Sequence, residues 1–460
     1  MNSTVKAKKL SVLEKARWFF NSKYYPFILF LTALISHTFS VEIFGIVVVM
    51  TAVCTGLLIC DDFKFLITPF VVSNLMFSEK SVATGKYYGK AYLIAIACGV
   101  FGVLILLIIH FVLYRKRINL REIPSSSLFL GLVFFAIAVF LNGCLSNDYH
   151  QGNLAYAAIL AFSITGIYFL LTIGIKKDPN LINYILYVLF LMSVLVTLEL
   201  YIAFTNQIRF EHGQIVKESI KIGWGMWNNI GGYLAFLLPI HFYFASTVKK
   251  FGWMFYITGL ISFVAIVLTL SRSSLLSAGI SIVLCMLISC FMGVNKKANR
   301  IFTLCIFILG VIGIIVLWNK ISSILGDYLA RGFDDNGRFE IYEHGIVNFI
   351  TNPFFGGGFT SAYATEHIFN VFLPPRYHNT IIQMMATCGI VGLLAYLFHR
   401  YQTIKLLLSR KKLFSIFVAL CIGTMLCGSL LDNHLFNIYP AFIYSILLLG
   451  VEKYTELKED

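Results

Sequence analysis

Long apolar segments recur along this 460-residue chain, and they constrain its fold more than any other feature. The apolar runs are about 18 to 24 residues long, the length that an α-helix needs to cross a bilayer. Only 13% of the residues are charged and 58% are hydrophobic, whereas about a quarter of the residues of a soluble domain are charged. The sequence therefore predicts an all-α, polytopic transmembrane helical bundle.

Hydropathy predicts about 12 to 14 spans, because the first three candidate segments are short. The predicted spans lie near 26–40, 41–60, 63–77, 91–114, 127–145, 153–175, 181–204, 227–247, 253–270, 274–293, 301–318, 379–398, 413–431 and 434–451. We expect a cytoplasmic tail at 1–25, a bundle of about eleven spans at 26–318, a large, partly helical extracytoplasmic loop at 319–378, C-terminal transmembrane helices at 379–451 and a cytoplasmic tail at 452–460.

The basic residues support this topology. The formal net charge of +14 comes from short clusters between apolar runs, which argues against a nucleic-acid-binding surface. With the N-terminus in the cytoplasm, the clusters follow even-numbered spans, as the positive-inside rule requires. The clusters begin at Lys64, Arg115, Lys176, Lys249, Lys296 and Arg400. We therefore expect a multi-pass membrane protein with both termini in the cytoplasm.

The predicted outer loop at 319–378 is long for a connection in a compact protein, and such loops are usually functional or disordered. Its sequence favours order, because aromatic residues occur throughout. An amphipathic stretch at 338–350 predicts a helix, and the Pro and Gly residues from Pro353 to Gly358 predict a turn.

Arg272 interrupts two apolar segments in the run LTLSRSSLLSAG, on the predicted outer side. Placing an arginine in the bilayer costs at least about 2.5 kcal/mol on insertion scales, so such residues usually face a cavity and a partner. An anion-binding role is one interpretation. An arginine at a helix end that reaches the lipid headgroups is the other.

The outer loop contributes further polar residues, among them Arg338, Arg376 and His378. Asn379 can cap the following helix, which would place His378 just above a helix N-terminus. A helix N-terminus favours a nearby anion. A solvated surface residue remains the alternative reading of His378.

A second outer segment, before the eighth span, carries Arg209 and Lys221. The ten cysteines show no metal-binding spacing, and the outer residues include no carboxylate cluster, so we expect no metal and no cofactor. Arginines gathered around membrane helices suit a lipid diphosphate, because guanidinium groups bind its oxygens bidentately and stabilise negative charge on a departing diphosphate.

Three segments together resemble the O-antigen ligase and polymerase superfamily of bacterial membrane glycosyltransferases. They are the dipeptide Ser271-Arg272, the run GRFEIYEHGIVNFITNPFFGGGF and the run YHNTIIQMMATCGIVGLLAYL, which occur in the family's order within residues 265–400. The chain departs from the family pattern at Tyr342, where tryptophan is common, and in its triple glycine. The upstream family arginine matches only loosely, at Arg209 or Lys221.

The resemblance implies a GT-C-like membrane glycosyltransferase that makes cell-surface polysaccharide. Its donor would be a glycan on undecaprenyl diphosphate, and its acceptor a hydroxyl group outside the cytoplasmic membrane. His378 would be the general base, since histidine exchanges protons near neutral pH. The implied diphosphate-binding residues are Arg272, Arg209 and Arg338, and the supporting residues are Asn379, Arg376, Ser271 and Lys221.

The sequence leaves alternatives open. Ligases and polymerases share these motifs, so the acceptor is not determined. A lipid-linked oligosaccharide flippase also uses many helices and buried cations, although transporters place charges near the bilayer midplane rather than on one face. A scaffold protein would tolerate replacement of Arg272 and His378.

Overall fold

A computed structural model describes residues 11–39, 41–77, 90–115, 119–146, 151–208, 210–211, 214–215, 227–316, 318, 322, 337–359, 377–431 and 438–455. These residues are almost entirely helical. The α-helices are α1 Val12–Asn21, α2 Tyr24–Thr38, α3 Glu42–Ile59, α4 Ile67–Phe77, α5 Lys90–Leu113, α6 Phe129–Leu145, α7 Gln151–Ala161, α8 Ile167–Gly174, α9 Leu181–Gln207, α10 Trp227–Thr247, α11 Gly252–Leu268, α12 Arg272–Phe291, α13 Lys296–Val316, α14 Arg338–Thr351, α15 Thr380–Arg410, α16 Leu413–Gly428 and α17 Ile438–Lys453.

Short elements interrupt or connect these helices. Two 3₁₀ turns cover Phe63–Leu66 and Leu120–Glu122, and a π-helical turn at Phe162–Gly166 joins α7 to α8. The strands β1 Phe210–Glu211 and β2 Gln214–Ile215 form a small antiparallel pair.

The predicted all-helical membrane fold is confirmed. Six helical stretches are long and apolar enough to cross a membrane, and shorter apolar helices of 10–17 residues accompany them. The six are Gly152–Gly174, Leu181–Asn206, Asn228–Thr247, Arg272–Phe291, Lys296–Val316 and Thr380–Arg410. The total number of spans and the boundaries of the five predicted regions stay predictions.

The chain forms two compact units, and the first comprises Met1–Ser125, Phe169–Met226 and Lys453–Asp460. Polar contacts at the ends of the helices stabilise this unit. Lys64 pairs with Asp178 at 3.0 Å. Burial raises the pKa of the Asp62 carboxyl group, which accepts hydrogen bonds from backbone N–H groups.

The second unit comprises Ser126–Tyr168 and Trp227–Glu452, and it holds most of the predicted site residues. Its central helix is α10, which is largely buried and packs against α11, α12 and α16. Helix α15 packs against α6, α14 and α16, whereas α13 is almost fully exposed at the edge. The short connection between α15 and α16, at Lys411 and Lys412, makes these two helices an antiparallel hairpin.

Candidate active site

A break in α15 is filled by the turn that follows α14. The break falls at Gly389, whose backbone has φ 62° and ψ −162°. After the break, the N–H groups of Ile390 and Val391 cannot reach the carbonyls four residues earlier, which they would use in an unbroken helix. They donate instead to the carbonyls of Pro353 and Phe354, at 2.8 and 3.3 Å.

The carbonyls that the break leaves without a helical donor are bonded by the same turn. Ala386 accepts from the N–H of Gly357 at 2.9 Å, and Thr387 accepts from the N–H of Gly358 at 3.3 Å. Two N–H groups and two carbonyls of α15 at the break are therefore bonded to the turn. This exchange matters because an unpaired backbone group inside a membrane costs several kcal/mol.

Two glycines are required for this close approach. A Cβ atom on Gly389 would lie 2.4 Å from the carbonyl oxygen of Phe354. A Cβ atom on Gly356, which has φ 74°, would lie 2.4 Å from the carbonyl carbon of Thr387. Both residues have backbone conformations that L-amino acids with side chains rarely adopt. Gly356, in the predicted turn, and Gly389, in a predicted span, are thus both needed for their backbone conformation and for space.

Side-chain amides reinforce the same junction. The Nδ2 group of Asn142, on α6, donates to the carbonyl of Phe355 at 2.6 Å and also to that of Thr387. Asn348, on α14, donates to the carbonyl of Ala386 at 3.3 Å. The broken segment of α15 is therefore held from two helices as well as by the turn.

Helix α14 begins at Arg338, as the amphipathic pattern predicted, and lies directly against the first turns of α15. A Cβ atom on Gly345 would lie 2.5 Å from the side chain of Ile382, so the two helices meet at this glycine. The Nδ2 group of Asn348 also donates to the hydroxyl of Tyr377 at 3.3 Å. These contacts fix the segment that leads into α15.

The start of α14 contacts the predicted base. The hydroxyl of Tyr342 donates to the backbone carbonyl of His378 at 3.4 Å. His378 is half-buried and has a left-handed backbone, with φ 49°. Arg338 precedes Tyr342 by four residues, so the two side chains lie on one face of α14, one turn apart. The fold thus brings the Gly-Arg and His-Asn motifs together.

Asn379 caps α15, as its position in the sequence predicted. Its Oδ1 atom accepts hydrogen bonds from the N–H groups of Ile381 and Ile382, at 2.9 and 3.2 Å. Its Nδ2 group donates to the carbonyl of Leu430, just beyond α16, at 3.1 Å. These bonds fix the backbone beside His378, so Asn379 acts on its neighbour by holding the start of the helix.

Arg272 is the first residue of α12 and is exposed. Ser271 precedes it, is buried, and shares a hydrogen bond with the hydroxyl of Ser274 at 2.9 Å. The hydroxyl of Ser274 also donates to the carbonyl of Asn228 at 3.4 Å, which ties the start of α12 to the start of α10. Both α12, which begins at Arg272, and α15, which begins two residues after His378, pack against α16.

Three of the predicted site residues have favourable places for anion binding. Arg272 begins α12, Arg338 begins α14, and His378 lies two residues before α15. A helix N-terminus carries a partial positive charge, which adds to the charge of the arginines. The predictions for Arg209, Lys221 and Arg376 concern positions outside the described residues.

Sequence reasoning did not single out Asn142, Asn348 or Tyr377 for the site. Asn142 had a usable signal, because an amide within the apolar run FLNGCL must find a hydrogen-bond partner inside the membrane. The sequence signal for Asn348 and Asn352 was weaker. Their spacing of four residues places two amides on one helix face. Within the described ranges, no group of three or more His, Cys, Asp or Glu residues is placed to hold a metal ion.

The fold and this site define a polytopic helical membrane protein in which helix N-termini carry arginine, histidine and asparagine. A family model described as O-antigen ligase matches residues 257–397, which include Arg272, Arg338 and His378. The match confirms the resemblance to the O-antigen ligase and polymerase superfamily over this part of the chain. No curated protein matches the chain.

Proposed function

We propose that the protein is a membrane glycosyltransferase of the O-antigen ligase type. It transfers a glycan from undecaprenyl diphosphate to an acceptor hydroxyl group, on the outer face of the bacterial cytoplasmic membrane, in the synthesis of a cell-surface polysaccharide. The acceptor is either a second lipid-linked glycan, as for a polymerase, or another carrier, as for a ligase.

The contact between Tyr342 and His378 carries this proposal. It joins the helix that begins with Arg338 to the segment that holds the predicted base. A base and a phosphate-binding cation are the two groups that transfer from a lipid diphosphate requires close together. The family match covers both residues and supports the same chemistry.

The reaction is a displacement at the anomeric carbon. The acceptor oxygen forms a bond to that carbon while the bond to the diphosphate oxygen breaks. The diphosphate leaves on its lipid with the bonding electrons, and His378 takes the hydroxyl proton of the acceptor. A direct displacement of this kind inverts the anomeric configuration, so a product with retained configuration would contradict the proposal.

The remaining predicted residues have binding roles. Arg272, Arg338 and Arg209 contact the diphosphate, with Lys221 as the alternative to Arg209, and stabilise the charge that develops as it leaves. Arg376 contacts diphosphate or sugar, Ser271 supports the start of α12, and Asn379 holds the backbone next to His378. The mechanism uses no metal ion and no cofactor.

The test is turnover of an undecaprenyl-diphosphate glycan by the purified protein in the presence of a metal chelator. Release of undecaprenyl diphosphate is measured with candidate acceptors for the wild type, His378→Ala and Arg272→Ala. We expect release by the wild type and loss of release in both folded variants, and the acceptor used distinguishes ligase from polymerase. Full activity of the His378→Ala variant would show that His378 is not the general base.

One buried residue favours the alternative, a lipid-linked oligosaccharide flippase. The hydropathy pattern placed Arg400 just beyond the end of its span, but the residue lies inside α15 and is 8% exposed. Its guanidinium group is 4.7 and 4.6 Å from the ring centres of Tyr396 and Tyr444. Its guanidinium nitrogens have no hydrogen-bond partner among the residues that the structure describes. Charge within the bundle is typical of transporters. Movement of labelled lipid between leaflets, without chemical change and dependent on Arg400, would favour the flippase.

A further inference from the structure

The exposed face of α14 changes in polarity along the helix axis. In the first two turns three of the four exposed side chains are polar, namely those of Glu340, Glu343 and His344, and the fourth is Phe339 at 68% exposure. His344 lies 4.0 Å from Glu340. Beyond Gly345 the exposed residues with large side chains are apolar. They are Ile346 at 45%, Val347 at 54% and Ile350 at 69% exposure, followed by Phe354 at 67% in the turn. A helix lying flat in water or on a membrane would instead change polarity around its axis.

The turn after α14 lies inside the helical bundle, beside residues of α15 and α6 that are some distance from the ends of those helices. Its partners Ala386 and Thr387 follow the start of α15 by six and seven residues, which is about 9–10 Å of helix rise. Its third partner, Asn142, precedes the end of α6 by three residues. Because α15 is one of the long apolar helices, the turn contacts it about one to two helical turns beyond its first residue, within the part of the helix that is long and apolar enough to cross a membrane.

Six backbone polar groups of this turn have hydrogen-bond partners in the protein, which favours a location within the membrane. The carbonyls of Pro353, Phe354 and Phe355 all accept hydrogen bonds. The N–H groups of the three following glycines all donate, with that of Gly356 bonded to the carbonyl of Asn352 at 2.9 Å. Non-helical backbone is tolerated at membrane depth only where protein groups satisfy it. Proline at position 353 has no N–H that would need a partner.

We propose that the second half of α14 and the turn that follows form a re-entrant segment embedded in the bilayer. Phospholipid acyl chains cover Ile346, Val347, Ile350 and Phe354. The first half, with Glu340 and Glu343, stays in the headgroup layer and water. The predicted extracytoplasmic loop therefore has one part that returns into the membrane.

The embedding of α14 determines the height of Arg338 relative to the membrane. Because Arg338 begins α14 and Ile346 lies eight residues later, the backbone of Arg338 stands about 12 Å above the lipid-covered part of the helix. That height is the headgroup layer, where the phosphates of membrane lipids lie. This consequence, but not the embedding itself, rests on the proposed function. A lipid diphosphate would then meet Arg338 without leaving the membrane surface.

Photo-crosslinking to lipid tests the embedding without any turnover. Benzoylphenylalanine is placed at position 350 or 354 of the full-length protein in nanodiscs of phosphatidylethanolamine and phosphatidylglycerol, and adducts are read by mass spectrometry. Position 343 is the matched control on the same helix. Position 309, exposed on the apolar helix α13, is the positive control.

We expect the yield of phospholipid adducts at positions 350 and 354 to be similar to the yield at position 309. At position 343 we expect only a small fraction of that yield. Adducts at 350 and 354 to peptides of this protein, or yields no higher than at 343, would overturn the proposal. A crosslinking result of either kind is independent of glycan transfer, so failure of the embedding and failure of the enzymatic function are separable.

Discussion

The backbone N–H of Ile390 donates to the carbonyl of Pro353 at 2.8 Å, and this bond joins two segments that are far apart in the sequence. The first segment contains the triple glycine and the second contains Gly389. In the structure they are one element, because the turn supplies the hydrogen bonds that α15 loses at its break. The glycines therefore have a structural role that explains their occurrence without direct contact with substrate.

Replacing Gly389 by alanine should destabilise the protein. The backbone conformation of Gly389 is essentially restricted to glycine and costs about 1–3 kcal/mol for other residues, and the new Cβ atom would meet the carbonyl oxygen of Phe354 at 2.4 Å. We expect a lower thermal unfolding midpoint in nanodiscs. Gly313→Ala is the control, since a Cβ atom there meets no other atom within 4 Å. Equal midpoints for the two variants would contradict the role of the break.

Replacing Asn142 by alanine should also lower stability. The substitution removes the amide that bonds to the carbonyls of Phe355 and Thr387, in a part of the protein shielded from water. The expected loss is about 1–3 kcal/mol, measured by unfolding in a denaturing detergent. Asn21→Ala, which removes an exposed bond to the carbonyl of Arg17, should change little. A wild-type unfolding curve for Asn142→Ala would show that the turn is held without this amide.

Replacing Tyr342 by phenylalanine should lower transferase activity and leave the fold intact. The ring remains, but the hydrogen bond to the carbonyl of His378 is lost, so the base is less well positioned. A neutral hydrogen bond contributes about 0.5–1.5 kcal/mol, which corresponds to a decrease of about 2- to 13-fold in kcat. Tyr401→Phe, at an exposed position on α15, is the control and should retain wild-type kcat. A change in KM alone would indicate that Tyr342 contacts substrate instead.

Replacing His378 by alanine should lower kcat by about 10²- to 10⁴-fold, the usual contribution of a general base. The matched control is His344→Ala, on the exposed face of α14, which should retain activity. Binding of the donor should be nearly unchanged in both variants, because the proposed diphosphate contacts are arginines. If both histidine variants lose activity equally, the loss comes from the fold of this region and His378 is not singled out as the base.

The sequence predicted the elements of the site better than their connections. The helix at 338–350, the turn from Pro353 to Gly358 and the cap at Asn379 each follow from local patterns, because capping, helical periodicity and glycine conformations are properties of neighbouring residues. The insertion of the turn into α15 depends on hydrogen bonds between distant segments. Hydropathy reads residues 379–398 as a continuous apolar run, so the break at Gly389 leaves no signal in it.

The site shows the same division. Arg272 and His378 stood out in the sequence because a charge beside an apolar span is costly and a polar residue above a helix start is well placed for chemistry. The pairing of Tyr342 with His378 could not be read from the sequence, since a tyrosine on an amphipathic helix is equally compatible with packing.

The sequence alone determined that this is a helical membrane protein, and it carried the resemblance to O-antigen ligases that the family match confirms. It did so because the cost of exposing backbone and charge to lipid dictates long apolar helices with basic ends. Only the tertiary structure decided how α14, the glycine-rich turn and the break in α15 combine. Those contacts exchange hydrogen bonds between chain segments, and such exchanges depend on three-dimensional proximity, which no local pattern of residues encodes.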